Sequence, residues 1–216
     1  MPKVTMIGAH GKVALLALPL VSAAGDQVDG VIRNPEHADD VAAAGATPVV
    51  ADVQDLGTEE LTDLLRGSDA VVWSAGAGGG NPERTYAVDR DAAIRTMDAA
   101  VAAGVPRFVM VSYFGAGPDH GVSPDNSFYA YAEAKAAADE HLMQTSLDWT
   151  VLRPSALTLA EPTGRVDATA DEAGQVSRGN VAQMIAAVLA EPERARHQVI
   201  SFNDGQTPVG QALPKP

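Results

Sequence analysis

The residues best suited to chemistry are a tyrosine and a lysine four positions apart, Tyr131 and Lys135, in a stretch typical of a helix. Residues at this spacing share one helical face, so the two side chains are neighbours. A phenol has a pKa of about 10, and a nearby ammonium group stabilises its phenolate. Ser112, after an apolar run, is placed to hydrogen-bond the oxygen that gains or loses the proton. The pattern predicts acid–base proton transfer; the alternative is a core tyrosine beside a solvated lysine.

A glycine-containing turn near the N-terminus predicts a site for a phosphate-bearing ligand. Residues 4–14 read V-T-M-I-G-A-H-G-K-V-A, an apolar strand, two glycines and the start of an apolar helix. Such a turn lets the backbone approach a pyrophosphate and directs the first N–H groups of the helix toward it. The spacing G-x-x-G-x-x-A is looser than the usual dinucleotide motif. We expect the following residues of the turn to line the pyrophosphate site: Gly8, His10, Gly11, Lys12 and Val13.

Strand and helix patterns alternate along most of the chain and must position these residues. Short runs rich in valine and isoleucine predict six strands, at 4–7, 28–32, 48–51, 70–73, 108–111 and 149–152. They lack in/out alternation, as expected for strands covered on both faces. Helical stretches are predicted at about 12–30, 35–45, 58–67, 83–104 and 128–146. This rhythm predicts an α/β fold, a Rossmann-type doubly wound parallel sheet.

Single residues indicate where helices begin and end. Pro19 lies within the first helical stretch and predicts a kink or an early end there. Gly104 occupies the position that glycine favours just after a helix. Ser177 is a suitable N-cap for a last helix over residues 177–190.

The C-terminal part of the chain departs from the strand–helix rhythm. Residues 155–176 are rich in Gly, Pro and Thr, with one short strand expected near 165–168. A further strand is expected at 197–202, and the tail from 204 to 216 is expected to be a loop. We expect a single domain, residues 1–216, with a small C-terminal substrate-side segment and two loops on the substrate side, 115–127 and 154–176.

In a doubly wound sheet, ligands bind beyond the carboxyl ends of the strands, so residues there are candidates for cofactor contacts. Arg33 follows the second strand, and a guanidinium suits a ribose 2′-phosphate, with Lys12 as additional help. Asp29 is the competitor, since an acid can accept from a 2′-hydroxyl, but it lies near the start of the strand. Asp52, after the third strand, is suited to accept from an adenine amino group; a helix N-terminal aspartate explains it equally well. We favour Arg33 and a phosphorylated ribose over a merely solvated arginine.

A backbone-rich run follows the predicted fourth strand. Residues 75–80 read A-G-A-G-G-G and carry almost no side chains. At a strand end such a run lets a cofactor lie against the backbone, although a flexible loop explains it as well. Lys135 is expected to reach the nicotinamide ribose while it stabilises the phenolate. The remaining predicted cofactor contacts are Val53, Ala75, Gly76, Ala77 and Pro154.

Composition excludes several classes of chemistry and partner. The chain has no cysteine among its 216 residues, which excludes disulfides, thiolate metal sites and a cysteine nucleophile. Its five histidines lack metal-ligand spacing, so no metal site is expected. A formal charge of −13 argues against nucleic-acid or anionic-membrane partners, because like charges repel. The pattern of a signal peptide or membrane span is missing from the sequence, and we expect a cytoplasmic protein with a small-molecule substrate.

These segments together resemble the atypical short-chain dehydrogenase/reductase families, in particular the small NAD(P)-binding, NmrA-like or epimerase-like members. The similar segments are V-T-M-I-G-A-H-G-K, V-I-R-N-P-E-H-A, V-V-A-D-V-Q-D, P-R-F-V-M-V-S, Y-A-E-A-K-A-A-A-D-E-H-L, L-D-W-T-V-L-R-P-S-A-L-T and S-R-G-N-V-A-Q-M-I. The resemblance covers nearly the whole chain and implies the fold and a nicotinamide dinucleotide. With Arg33, NADP(H) is the preferred cofactor and NAD(H) the alternative.

The resemblance implies three candidate functions. The first is an NADP(H)-dependent oxidoreductase that reduces a small carbonyl, quinone or related acceptor, with Tyr131 as proton donor and Ser112 orienting the acceptor. The second is a non-catalytic NADP(H)-binding redox sensor, and the third is an epimerase or dehydratase with tightly held NAD. About sixty residues follow the sixth predicted strand, fewer than sugar-nucleotide epimerases carry. Small relatives include monomers, so a monomer or small homo-oligomer is expected.

Overall fold

Eleven strands form the sheet structure of the protein, which a computed structural model describes for residues 1–78 and 80–215. Seven of them follow the order expected for a doubly wound fold, and the rest are short. The strands are β1 (Lys3–Ile7), β2 (Gln27–Ile32), β3 (Thr47–Val50), β4 (Ala70–Trp73), β5 (Arg107–Val111), β6 (Asp148–Pro154), β7 (Ala156–Thr158), β8 (Arg165–Asp167), β9 (Gln175–Ser177), β10 (Gln198–Asp204) and β11 (Thr207–Pro208).

Helices connect the strands and cover both faces of the sheet. They are α1 (Ala14–Ala23), α2 (Ala38–Ala43), α3 (Thr58–Leu65), α4 (Pro82–Thr85), α5 (Ala93–Ala103), α6 (Tyr129–Gln144), α7 (Arg178–Ala190), α8 (Pro192–Ala195) and α9 (Val209–Ala212). A 3-10 turn, Pro35–His37, precedes α2, and a π-helical turn, Tyr86–Ala92, joins α4 to α5. Among the helices of the described ranges, none is long and apolar enough to cross a bilayer.

The main sheet has nine strands in the order β11-β8-β10-β6-β5-β4-β1-β2-β3, and β7 pairs with β9 in a separate two-stranded sheet. All pairs are parallel except those of β8, which runs antiparallel to β10 and β11. The strand order reverses between β1 and β4, which are neighbours in register from Val4↔Ala70 to Ile7↔Trp73. The predicted Rossmann-type doubly wound sheet is confirmed, and its switch point lies between β1 and β4.

The strands are buried on both faces because alternate residues pack into two different hydrophobic clusters. In β4, Ala70 and Val72 face the cluster that also holds α1 and α7, whereas Val71 and Trp73 face the one formed with α3, α5 and α6. Each of these four side chains is at most 5% exposed. The near-continuous apolar runs of the sequence therefore mark strands sandwiched between two helical layers.

The first helix is shorter than the predicted stretch of 12–30. It begins at Ala14 and ends at Ala23, because β2 already starts at Gln27. The early end that was one of the two alternatives predicted at Pro19 is wrong, since the helix continues four residues beyond it. Burial of Leu18 and Val21 on the sheet offsets the hydrogen bond that a proline removes.

The predicted helix over 83–104 is divided into three consecutive segments. Its middle segment, Tyr86–Ala92, winds as a π-helical turn, which carries more residues per turn than an α-helix. The wide turn buries Asp89, which is 1% exposed, beside the chain that leaves β4. Gly104 ends the last segment with a φ of 72°, the left-handed geometry expected there.

The C-terminal tail, predicted as a loop, is ordered instead. Thr207–Pro208 forms β11 and Val209–Ala212 forms α9. Val209 and Leu213 are buried against α7, and Arg194 donates hydrogen bonds to three carbonyl groups of residues 210–214. The prediction missed this because two buried residues four positions apart make no visible pattern.

Gly30, in the middle of β2, makes room for α2. A Cβ atom at this position would lie 2.6 Å from Val41 Cγ1 and 3.0 Å from Ala9 Cβ. We expect Gly30→Ala to lower the free energy of unfolding by about 1–3 kcal/mol, because an overpacked core forces its neighbours to shift. Urea denaturation of the purified variant measures this change.

Gly210→Ala is the matched control, because a Cβ atom there meets no atom within 4 Å. Its free energy of unfolding should not fall, because Gly210 lies in α9 and alanine favours a helical backbone over glycine. Adding Val41→Ala to Gly30→Ala should recover part of the loss, so that the double variant is more stable than the sum of the two changes predicts. Equal stability of the Gly30 and Gly210 variants would contradict the packing argument.

Candidate functional site

A groove crosses the carboxyl edge of the sheet at its switch point and has two lobes. The small lobe, of about 290 Å³, lies over the ends of β1, β2 and β3. The large lobe, of about 1120 Å³, lies over the ends of β4, β5 and β6. Four residues line both lobes: Gly11, Ser74, Ala75 and Gly76. The two lobes are therefore one continuous groove, as a dinucleotide with two nucleoside halves requires.

The glycine turn after β1 forms the floor of the groove between the lobes. Gly8 has a φ of +81°, and a Cβ atom there would lie 2.6 Å from the Cα of Ala75. The amides of Gly8 and Ala9 both donate to Val31 O, at 3.1 and 3.0 Å, which fixes the turn against β2. At the start of α1, Val13 provides no side-chain cap, and the amides of Leu15 and Leu16 already donate to backbone carbonyls. Among the described residues the amide of Ala14 has no backbone acceptor, so it is the first N–H group of the helix and can bind an anion. This side-chain-free cradle fits a pyrophosphate.

Arg33 and Asp52 face each other across the small lobe. Arg33 Nε lies 3.9 Å from Asp52 Oδ2, and the Arg33 side chain is 57% exposed. The other Asp52 oxygen accepts from the amide of Gln54 at 3.1 Å. Val53 lines the same lobe, so the structure brings together the residues predicted for the adenosine half.

A pair of histidines lies beside Arg33. The rings of His10 and His37 stack with centroids 3.6 Å apart and an interplanar angle of 13°. His10 Nε2 lies 2.9 Å from a carboxylate oxygen of Asp40, and both rings line the small lobe. His10 is one of the predicted contacts, whereas His37 was missed. Its position four residues after Arg33, on a turn that returns toward the sheet, is the signal that could have found it.

Asp29, the competing candidate for the ribose, is occupied elsewhere. Its carboxylate forms an ion pair of 2.9 Å with Lys3 Nζ, and its register partner is Thr5 in the middle of β1. Asp29 lies three residues before the end of β2 and does not line the small lobe. The geometry at the strand end thus offers a ribose substituent the guanidinium of Arg33.

Ser112 and Tyr131 both line the large lobe. Ser112 stands at the start of the chain segment that links β5 to α6, and Tyr131 stands just after its end. Three more of the predicted contacts line it with them: Lys12, Val13 and Pro154. The amide of Ser112 donates to Leu152 O at 2.7 Å, which extends the β5–β6 ladder to the edge of the groove. Tyr131 lies in the first turn of α6, so a strand end and a helix start hold the two hydroxyl groups.

The side chain of Ser112 is held by a buried carboxylate. Ser112 Oγ donates to Asp139 Oδ2 at 2.8 Å, and the Nε and a terminal nitrogen of Arg153 donate to the same oxygen at 3.2 and 3.1 Å. Asp139 is 0% exposed, and burial raises the pKa of its carboxyl group. Its other oxygen has no hydrogen-bond partner among residues 1–78 and 80–215. Asp139 was missed, although it continues the i, i+4 series of Tyr131 and Lys135 by one more turn.

Lys135 lies behind the wall of the groove rather than in it. The residue is 1% exposed and lines neither lobe. Its Nζ donates to Val111 O at 2.8 Å and lies 3.2 Å from Met110 Sδ. Burial lowers the pKa of Lys135. In this arrangement the ammonium group supports the end of β5, and the predicted ribose contact would require the side chain to move.

Asp89 is a second buried carboxylate beside the large lobe that the sequence analysis missed. Asp89 Oδ2 accepts from the amide of Ala77 at 2.9 Å, and Arg84 donates to Ala77 O at 2.9 Å. Burial raises the pKa of Asp89. These contacts hold the chain that leaves β4, and they place Ala77 behind the groove, so this predicted cofactor contact lines neither lobe. Of the glycine run after β4, Gly79 lies outside the described residues.

The surroundings of Tyr131 keep its hydroxyl protonated. Burial raises the pKa of Tyr131 above its ordinary value, and the carboxylates of Asp89 and Asp139 raise the pKa further. This is the opposite of the lowered pKa expected from the Tyr–Lys spacing, because burial is the largest cause of the shift and Lys135 Nζ donates to Val111 O instead. At neutral pH the Tyr131 hydroxyl group therefore carries its proton.

Comparison with known proteins agrees with this geometry. Residues 8–192 match the protein family described as NAD(P)H-binding. The Bacillus subtilis protein YhfK, named an uncharacterized sugar epimerase, is 33% identical over 216 residues, which cover 99% of each chain.

Solved structures with at least 30% identity have the same fold over nearly their whole length. A Bacillus halodurans protein assigned as an NAD-dependent epimerase/dehydratase is 31% identical, with a TM-score of 0.88 over 97% of each chain. The oxidoreductase ylbE from Lactococcus lactis is 30% identical, with a TM-score of 0.87 over 98% of this chain and 94% of that one. The sequence resemblance is confirmed: the chain belongs to the NAD(P)H-binding family, among the small atypical short-chain dehydrogenases/reductases.

Proposed function

We propose that this protein is an NADPH-dependent reductase of small carbonyl, quinone or related acceptors. The observation that carries the proposal is that Tyr131 and Ser112 line a large apolar-walled lobe continuous with the pyrophosphate cradle. The glycine turn and α1 would hold the pyrophosphate, and Arg33 the ribose phosphate. When bound, the reduced nicotinamide supplies a hydride. The similarity to the oxidoreductase ylbE supports the same class of reaction.

The raised pKa of Tyr131 favours reduction over oxidation. An oxidative reaction needs a phenolate to take a proton from the substrate, and burial disfavours that charged form. In the reductive direction a hydride from the cofactor would add to the carbonyl carbon as the C=O π bond breaks, and the Tyr131 hydroxyl would give its proton to the oxygen. An alkoxide is a stronger base than a phenolate, so this proton transfer is favourable. Solvent then returns a proton to Tyr131.

Ser112 acts in this scheme as a hydrogen-bond acceptor. Asp139 Oδ2 already accepts two hydrogen bonds from Arg153, so it carries no proton, and the Ser112 hydroxyl must donate to it. Only the lone pairs of Ser112 then remain for groups in the large lobe. They can orient the Tyr131 hydroxyl or accept from the alcohol as it forms. Tyr131 is left as the donor to the carbonyl oxygen.

The epimerase names of two relatives define the second candidate function. YhfK is named a sugar epimerase and the Bacillus halodurans protein an NAD-dependent epimerase/dehydratase. Such chemistry returns the hydride to the substrate, so the cofactor stays bound and none is consumed. The contacting aromatic rings at the large lobe, Tyr113, Phe128 and Tyr131, favour a flat apolar acceptor over a polyhydroxylated sugar.

Replacing Tyr131 by Phe should remove turnover and leave cofactor binding intact. We expect kcat for NADPH oxidation with menadione or 4-nitrobenzaldehyde to fall by about 100-fold or more, because the proton donor is lost. The Kd of NADPH, measured by fluorescence titration, should not change. Tyr129→Phe is the control, because Tyr129 lies on the same helix, contacts His120 and does not line the large lobe.

The pH dependence of the wild type tests the state of Tyr131. Because its pKa is raised, the reductive kcat should stay level between about pH 7 and 9. A decline of kcat within that range would indicate a phenol acidified by Lys135 instead.

NADPH binding without turnover of any acceptor would favour the redox sensor, and NAD retained through purification would favour the epimerase.

Arg33→Ala should weaken NADPH binding selectively. Loss of a charge-assisted phosphate contact costs about 1.5–3 kcal/mol, so the Kd of NADPH should rise by about tenfold or more. The Kd of NADH should change little. Arg66→Ala, which removes an exposed arginine paired with Asp63, is the control. Equal affinity of the wild type for NADPH and NADH would rule out the role of Arg33.

Asp139→Asn should release the Ser112 side chain. We expect kcat to fall by about tenfold, as in Ser112→Ala, and the double variant to lose little more, because both changes break one hydrogen bond. The free energy of unfolding should drop by about 1–3 kcal/mol, since Arg153 loses its partner. Asp98→Asn, in an exposed pair with His141, is the control for both measurements. Additive losses in kcat would contradict the coupling.

A further inference from the structure

The large lobe has a cationic end that the proposed hydride and proton transfers do not use. Arg178, the first residue of α7, lines the lobe on the side of the two-stranded sheet. Its guanidinium donates to Leu157 O at a long 3.4 Å. Within residues 1–78 and 80–215, no carboxylate oxygen lies within 4.0 Å of this guanidinium, whereas Arg153, Arg194 and Arg196 each form an ion pair.

Other arginines of the described residues also lack an ion pair, but Arg84, Arg95 and Arg165 each donate to a carbonyl oxygen at 2.7–2.9 Å. An arginine with neither an acidic partner nor a close carbonyl acceptor is therefore informative in this chain. The sequence has 28 acidic residues against 15 lysines and arginines, so acidic partners are abundant. In the described part of the large-lobe wall, Asp89 is the one carboxylate, and it is 1% exposed with an oxygen bound to the amide of Ala77. Lys12 lies on the pyrophosphate turn, where a cofactor would neutralise it. Arg178 therefore presents a positive charge to whatever else enters the lobe.

The wall next to Tyr131 is aromatic and open. Phe128 lies edge-on to Tyr113 at 5.1 Å between ring centroids, and Tyr131 packs against both rings at 5.1 and 5.6 Å. Phe128 is 41% exposed and Leu157 is 39% exposed, although both line the lobe. Exposed apolar side chains of this size gain from covering by a flat apolar ligand. The guanidinium of Arg178 donates to the carbonyl oxygen of Leu157, so the cation lies next to the apolar surface that Leu157 contributes to the lobe.

We propose that the acceptor is a flat aromatic anion, with its ring on Phe128 and Leu157 and its carboxylate bound by Arg178. This inference rests on the proposed reductase function, because it names the class of acceptor that Tyr131 protonates. A guanidinium binds a carboxylate through two parallel N–H bonds, so it fixes the orientation of the ring as well as its charge. A carbonyl group attached to the ring would take the hydride from NADPH, which becomes NADP⁺, and the proton from Tyr131. The carbonyl group would become an alcohol, and the carboxylate would be unchanged.

Binding of two inert probes tests the inference without turnover. 2-Naphthoate and 2-naphthamide share one ring system and differ in charge, and neither carries an aldehyde or ketone. By calorimetry with and without NADP⁺, the wild type should bind 2-naphthoate about tenfold or more tightly than 2-naphthamide. Arg178→Ala should abolish that difference by weakening the naphthoate alone, and Arg178→Lys should retain part of it. Arg66→Ala, on the exposed surface, should behave as wild type.

A turnover experiment separates this inference from the proposed function. 6-Formyl-2-naphthoate and its methyl ester carry the same aldehyde, so a lower KM for the anion, lost in Arg178→Ala at unchanged kcat for the ester, supports the anchoring role. If neither aldehyde is reduced but naphthoate binding depends on Arg178, the reductase function fails and the anion site stands. Equal binding of naphthoate and naphthamide to the wild type, or naphthoate binding that Arg178→Ala leaves unchanged, overturns the inference.

Discussion

The close approach of two backbones at the switch point governs the rest of this structure. Where β1 and β4 run side by side, the turn at Gly8 lies so near to Ala75 that a single Cβ atom would fill the gap. Because Gly8 carries no side chain and Ala75 only a methyl group, the lobes over β1–β3 and β4–β6 merge into one groove. A dinucleotide can cross only where backbone rather than side chains forms the floor. The fold, the cofactor class and the position of the acceptor all depend on this contact.

Buried charge at the carboxyl end of β5 then decides the chemistry. Asp139 accepts hydrogen bonds from the side chains of Ser112 and Arg153. The ammonium group of Lys135 donates to the carbonyl oxygen of Val111. Desolvation and the carboxylates therefore raise the pKa of Tyr131, whereas the Tyr–Lys spacing alone predicts a lowered pKa. Two chains with the same Tyr–Lys spacing can thus differ in the pKa of the tyrosine. Packing, and not the motif, decides whether the lysine contacts the tyrosine or another group.

The sequence predicted what depends on local pattern and missed what depends on packing. Six strands, the sheet class and the glycine turn follow from apolar runs and turn residues, and they were found. Asp89 and Asp139 were missed because a buried aspartate on a helix looks like a solvated one until its neighbours are known. The ordered tail was missed for the same reason, since Val209 and Leu213 are isolated apolar residues. The role predicted for Lys135 assumed that two residues on one helical face direct their side chains to the same site. In the structure Tyr131 lines the large lobe, whereas Lys135 Nζ donates to Val111 O behind it.

The π-helical turn at Tyr86–Ala92 limits which changes in chain length a protein with this fold tolerates. Each residue of an α-helix advances the chain by about 100° around its axis, so deleting the extra residue would rotate α5 and turn Met97 and Ala100 out of the core. Loss of Asp89 from its place beside Ala77 would follow. A change of length in this turn would therefore change the register of α5, whereas the loop of residues 115–127 before α6 contains no helix or strand. New acceptor preferences should arise by changes in loop length there, with the cofactor half untouched.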